Sequence, residues 1–172
     1  RLKYNGESIS SVSVNRGQDY FAVGCGAQVE IARLHPTNVL DSSTMQLKSS
    51  GRFTITDVAF CPMDDNLIAA SATNGMVAVF DLTHAESRLV GRTKWDSIEA
   101  PRSINKVNWH PTDGNMLISA GMDGTVRLFD LRDKTRKGTL YNTKAEATRD
   151  VQINPFDATM FAAISENGVL SI

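Results

Sequence analysis

The sequence predicts an all-β protein made of repeated four-stranded sheets, and three observations carry that expectation. The first is a long internal repeat. Ile55–Leu82 (ITDVAFCPMDDNLIAASATNGMVAVFDL) aligns without gaps on Ile104–Leu131 (INKVNWHPTDGNMLISAGMDGTVRLFDL) at an offset of 49 residues, with ten of 28 positions identical. A third copy opens at Thr148, offset by 44, and a weaker fourth spans Ile9–Leu34. The second observation is period-two alternation in short segments, with no helical periodicity along the chain. The third is an Asn-Gly or Asp-Gly pair at one place in three copies, a tight β-turn signal. Four short strands in a repeat of about 45 residues make one blade of a propeller. A β-sandwich shows short turn spacing too, but not that long period.

Each element follows from its residues. The copies share Val12, Val58, Val107 and Val151, spaced 46, 49 and 44 apart, within a first strand. In the third copy strict alternation places Ile104, Lys106 and Asn108 on one side of that strand and Asn105, Val107 and Trp109 on the other. A Pro-Asp turn follows (Pro62/Asp64, Pro111/Asp113, Pro155/Asp157). The second strand is nearly continuous in apolar residues, Leu67–Ala70 or Met116–Ile118, as expected of a strand covered on both faces. Asn74-Gly75, Asp123-Gly124 and Asn167-Gly168 then read as two-residue turns with positive φ at both positions. Third strands are expected at Val77–Leu82, Val126–Leu131 and Val169–Ile172, and weaker fourth strands at Met45–Lys48, Arg88–Arg92 and Thr139–Asn142. The expected blades are 9–50, 54–96, 103–145 and 148–172, so residues 1–172 form a partial propeller of about four blades.

Composition narrows the function. Eighteen Lys+Arg against 19 Asp+Glu leave a net charge of −1, which gives no bulk attraction to nucleic acid or anionic membrane. The longest apolar runs, Met76–Phe80 and Met160–Ile164, are five residues, far short of a bilayer span. Cys25 and Cys61 stand alone, 36 apart, and no Asn-x-Ser/Thr acceptor occurs; a reducing, intracellular compartment is expected. His35, His84 and His110 fall in separate segments, and His110 takes the turn position that Cys61 and Asn154 hold in other copies. Met63–Asn66 lacks the spacing of a calcium loop, and Gly24-Cys25-Gly26 is too short to cradle phosphate. The expectation is therefore no catalytic residue, no cofactor and no metal site.

Ser119…Asp123-Gly124…Phe129-Asp130 resembles the WD40 blade signature, in which a Ser on the second strand and an Asp in the next turn support a His and a Trp. Here no Gly-His precedes the repeat, Phe129 stands for the Trp, and other copies carry Ala70/Asn74 and Ala163/Asn167. The resemblance implies that Asp123 accepts hydrogen bonds from its turn and from Ser119, while apolar packing carries most of the blade. The blade order across Asp57–Gly168 is similar to that of the propeller-subunit family of the amino-acid-sensing GATOR (SEA) complex. That likeness implies a non-catalytic protein–protein interaction scaffold in a multi-protein complex, signalling to the TORC kinase. It implies a cytoplasmic location, peripheral to the lysosomal or vacuolar surface, without nucleic-acid binding or membrane insertion.

In WD40 proteins partners generally contact the mouth of the disc, formed by the loops before the first strand and the second-to-third-strand turns. The matching positions are Ser103, Asn105, Ala147 and Arg149, with Thr73, Met122 and Glu166 in the turns. A second function is weighed on Phe129-Asp130-Leu131-Arg132, which resembles the Trp-Asp-x-Arg box used by some WD40 substrate receptors of cullin-type ubiquitin ligases. Arg132, Lys134, Arg136 and Lys137 make a basic stretch, read either as a solvated turn or as a contact for an acidic partner or a phosphoinositide headgroup. Bare blade edges imply self-association or completion by another chain, with Leu2–Tyr4 a candidate fourth strand for the last sheet.

Overall fold

Four short antiparallel sheets follow one another along the chain. The computed structural model describes residues 8–33, 42–46, 52–83, 92–98, 100–144 and 146–172, which contain fifteen strands and no helix. The first sheet is β1 (Ile9–Val14), β2 (Tyr20–Cys25), β3 (Gln28–Arg33) and β4 (Ser42–Gln46). The second is β5 (Ile55–Phe60), β6 (Leu67–Ala72), β7 (Met76–Asp81) and β8 (Arg92–Ile98). The third is β9 (Ile104–Trp109), β10 (Met116–Gly121), β11 (Thr125–Asp130) and β12 (Thr139–Asn142). The last holds β13 (Thr148–Ile153), β14 (Phe161–Ser165) and β15 (Leu170–Ser171). Strands lie in chain order within every sheet, and neighbouring sheets meet through their first strands, β1 on β5, β5 on β9 and β9 on β13. These are propeller blades in an arc, an incomplete ring with the first strands innermost.

The cores lie between blades, and strand alternation explains how one sheet serves two of them. β6 is buried from end to end. Its Ile68 and Ala70, with Phe80 of β7, join Val29, Ile31 and Val58 in the core shared with the first blade. Its Leu67 and Ala69, with Val77 and Val79, join Ile104, Trp109 and Phe129 in the core shared with the third. Ile118, Val126, Val151 and Ala163 fill the next gap. Neither Cys25 nor Cys61 is in a disulfide, and both are buried.

The structure corrects strict alternation in the first strands. Their pairing with the second strands slips at one place in all four blades, between Ile9 and Ser11, Ile55 and Asp57, Ile104 and Lys106, and Thr148 and Asp150. The extra residue of this bulge puts Ile104 in the same core as Val107 and Trp109, not beside Lys106. The turns differ as well. The amide of Gly75 donates to the Ala72 carbonyl (3.2 Å), and those of Gly124 and Gly168 donate to Gly121 and Ser165 in the same way. Only the glycines carry positive φ, at 82°, 75° and 80°, so each turn is a three-residue loop with its last residue left-handed, not a two-residue loop. The third strands begin one residue early, at Met76 and Thr125, while the last is only Leu170–Ser171. Of the expected fourth strands, Thr139–Asn142 is recovered; strands at Ser42–Gln46 and Arg92–Ile98 overlap the other two, whose remaining residues, 47–48 and 88–91, lie outside the described residues. Leu2–Tyr4, His35 and His84 lie outside the described residues.

Candidate functional site

One end of the strands carries a repeated device that builds the mouth. In each blade the second-to-third-strand turn is fastened to the residue before the first strand. The amide of Thr73 donates to the Thr54 carbonyl (2.9 Å), Met122 to Ser103 (2.8 Å) and Glu166 to Ala147 (2.9 Å). The Thr54 amide answers by donating to Thr73 Oγ1 (2.9 Å). Arg149 reaches the turn of its own blade and pairs with Glu166 Oε1 (2.6 Å), both side chains about half exposed. Thr73, Met122 and Glu166 are therefore equivalent positions on consecutive blades, anchored to Thr54, Ser103 and Ala147 in a rim of backbone-fastened turns, and Arg149 joins that rim through Glu166. Asn105 plays another part. It is the bulge residue of β9, and its Nδ2 donates to the Thr148 carbonyl of the next blade (2.8 Å).

Beneath the rim a polar ladder joins the innermost strands. Asp57, nearly fully buried, accepts from Ser11 Oγ of the first blade (2.6 Å) and from the Val107 amide of the third (3.1 Å). Lys106 Nζ lies 3.2 Å from the same carboxylate. Trp109 Nε1 donates to the Ala59 carbonyl (2.8 Å), and the Phe60 amide to Ser13 Oγ (3.0 Å). One carboxylate thus ties three blades. Asp57 escapes sequence reasoning although it precedes the shared valine, in register with Ser11, Lys106 and Asp150, because residue identity differs in each copy.

Asp123 does organise its turn, with a partner other than the expected Ser119. It accepts from the Thr125 amide (3.2 Å) and Thr125 Oγ1 (2.6 Å), and pairs with Arg127 at 2.6 Å. Arg127 is buried with only 4% of its side chain exposed. Ser119 Oγ is buried and has no hydrogen-bond partner among the described residues. Burial alone would raise the Asp123 pKa, but hydrogen bonds from Arg127 and Thr125 and the guanidinium charge outweigh it and hold the carboxyl below its ordinary value. A charged pair therefore replaces the Ser and His of the WD40 signature.

At the opposite ends of the strands the Pro-Asp turns are capped by their own side chains. Asp64, Asp113 and Asp157 accept from the amides of Asn66, Asn115 and Thr159. His110 Nδ1 accepts from the Asp113 amide (3.0 Å), which gives it a turn-forming role. Arg132 is bound by Asp130 (2.8 Å) and Asp113 (3.1 Å), and Arg136 by Asp96, so half of the basic stretch is neutralised within the chain. A cleft of about 460 Å³ opens between the first two blades, lined by Asn15, Asp19, Tyr20, Asp65, Asn66 and Leu82. Among the described residues no three His, Cys, Asp or Glu side chains converge to hold a metal, and no helix is long and apolar enough to cross a membrane.

With this geometry in view, residues 58–154 match the family model of the anaphase-promoting complex subunit 4 WD40 domain, more than half of the chain. This chain belongs to the WD40 family. Relatives of the WD40 chain include the GATOR2 complex protein WDR24 of Xenopus laevis, 42% identical over 70% of this chain, and that of Homo sapiens, 38% identical over the same share. The Drosophila melanogaster protein Wdr24 is 30% identical over 85% of it. The chain spans 15% of the length of the frog and human relatives. Among solved structures, Chaetomium thermophilum Sqt1, bound to the N-terminus of the ribosomal protein L10, superposes with a TM-score of 0.73. That likeness covers 90% of this chain and 40% of Sqt1 at 23% identity, and it supports the fold alone.

Proposed function

We propose that this WD40 chain is a non-catalytic scaffold of a GATOR2-type complex, serving amino-acid signalling to the TORC kinase from the cytoplasmic side of the lysosomal or vacuolar surface. The observation that carries this reading is the 42% identity to a GATOR2 complex protein over 70% of the chain. The geometry supports a mechanism. Each rim turn is fastened by a backbone hydrogen bond to the start of its own blade, so Thr73, Met122 and Glu166 are presented on anchored backbone, with Arg149 paired to Glu166. A partner that docks there meets a pre-ordered surface and loses less conformational freedom on binding. Mixed apolar and charged side chains suit such a protein contact. Ser103 and Asn105 set the rim from below, through a carbonyl and an inter-blade amide.

The test is affinity purification of the tagged full-length protein from its own cells, with quantitative mass spectrometry. Recovery of the other subunits of a GATOR2-type assembly in near-stoichiometric amounts is the expected result. Recovery of a cullin adaptor in their place would overturn it in favour of the substrate-receptor reading.

A further inference from the structure

The exposed apolar side chains of this chain fall into two sets, separated by comparing equivalent positions in different blades. Val12 and Val14 of β1 are 63% and 51% exposed, yet their counterparts Val58 and Phe60 are buried. Leu170 and Ile164 of the last blade are 60% and 48% exposed, while Val126 and Ala120, which occupy those positions in the third, are fully covered. Such residues lie on the outer sides of the first and last sheets, where no sheet among the described residues packs on them. Phe156 is different. It is 98% exposed, and its counterparts, Thr112 in the third blade and Met63 in the second, remain exposed with a further blade in place. Propeller packing therefore gives this phenyl ring no cover.

The backbone that carries the ring is held in place. The Phe156 amide donates to Asn154 Oδ1 (2.9 Å), and Asp157 accepts from the amide and hydroxyl of Thr159 (3.1 and 2.6 Å). The Met160 amide donates to the Asp157 carbonyl, and the Asn154 amide to the Met160 carbonyl, closing the turn. An exposed aromatic on an anchored turn carries a large apolar payload to a partner without reordering of the backbone beneath it. Its neighbour in the turn is the exposed carboxylate of Asp157, and Met63, at the same turn position two blades earlier, is followed by Asp64 and Asp65.

We infer that Phe156 is a docking knob, on the face opposite the rim, for a protein partner with an apolar pocket bordered by Lys or Arg. The apolar ring selects the pocket and the adjacent carboxylates select the basic border. This surface is separate from the rim, because the Pro-Asp turns and the rim turns lie at opposite ends of the strands. Loss of partners from rim variants and loss from Phe156 variants are thus independent results.

The experiment places the photocrosslinking residue benzoyl-phenylalanine at position 156 of the full-length protein in its cells, with position 112 as the control. A covalent adduct to another protein from position 156 alone, mapped to a peptide with apolar and basic residues, is the expected result. In the same background Phe156→Ser lowers recovery of that protein about tenfold or more, whereas Phe156→Leu retains most of it. Adducts confined to this chain, to a second copy, to lipid or to nucleic acid would overturn the inference. So would equal adducts from both positions, or unchanged recovery with Phe156→Ser.

Discussion

A guanidinium with 4% of its surface exposed has to be neutralised within the protein, and in this chain Asp123 does so for Arg127. Removing one partner of a buried pair leaves an uncompensated charge and costs roughly 3–5 kcal/mol. Asp123→Ala is therefore expected to lower stability by about 3 kcal/mol, because the pair is close to the surface. Asp113 sits in an open turn, where its ion pair with exposed Arg132 is worth about 1 kcal/mol or less, so Asp113→Ala is expected to be mild. Parallel urea denaturation of the two variants separates them, and equal losses would contradict the account. Acid adds a second readout. The Asp123 pKa is lower when folded than its ordinary 3.8, so the folded chain binds fewer protons near that pH. Its stabilisation is complete above the unfolded value and disappears as pH falls through the lowered folded value. Asp123→Asn is expected to be less stable at neutral pH and to lose less on acidification below about pH 5. An acid slope identical to that of the wild type would exclude the linkage. The Asp in this turn is legible in the sequence as a WD40 mark. Its partner is not, because Arg127 alternates into a third strand as any exposed strand residue does.

Among the elements, the turns show how much a local motif specifies. Asn74-Gly75 and Asp123-Gly124 are readable as turns, but which residue turns left-handed depends on how the flanking strands register, and only Gly does. Gly75 and Gly168 share that conformation in different surroundings. A Cβ on Gly75 would come within 2.1 Å of the Ala100 carbonyl oxygen, whereas at Gly168 it would meet nothing within 4 Å. Gly168→Ala is expected to cost about 1 kcal/mol for the left-handed backbone alone. Gly75→Ala is expected to cost about 3 kcal/mol, because it also pushes the linker to the third blade off the second. Calorimetric melting of both variants checks the difference, and equal costs would mean that the linker yields freely. The first-strand bulge had a signal of its own. Apolar residues at Ile9, Val12 and Val14, at Ile55, Val58 and Phe60, and at Ile104, Val107 and Trp109 are spaced three then two apart, a break in alternation that one added residue repairs. The outer strands gave the weakest signal. β12 is exposed throughout, and burial imposes little pattern on such a strand.

At the scale of the molecule, what holds the arc is the ladder of inner strands and the apolar layers between blades. The arc and its period were legible because every blade repeats the same core positions. The asymmetry between its faces was not, because it arises from single exposed residues such as Phe156 that no repeat encodes. Both lateral faces of the arc bare apolar side chains, Ile9, Val12 and Val14 on one and Ile164, Leu170 and Ile172 on the other. We propose that the isolated 172-residue chain self-associates through these faces. Light scattering at rising concentration is expected to show mass increasing beyond 18.8 kDa, and a monodisperse monomer throughout would contradict that. We propose that the rim of anchored turns presents this WD40 chain to the subunits of a GATOR2-type complex. The most direct test replaces Met122 and Arg149 together, as Met122→Ala with Arg149→Glu, in the tagged full-length protein and quantifies the co-purifying subunits. At least one subunit is expected to be lost about tenfold or more, as when binding hot spots are removed, with the melting temperature unchanged. Full recovery of every subunit with the folded double variant would contradict it.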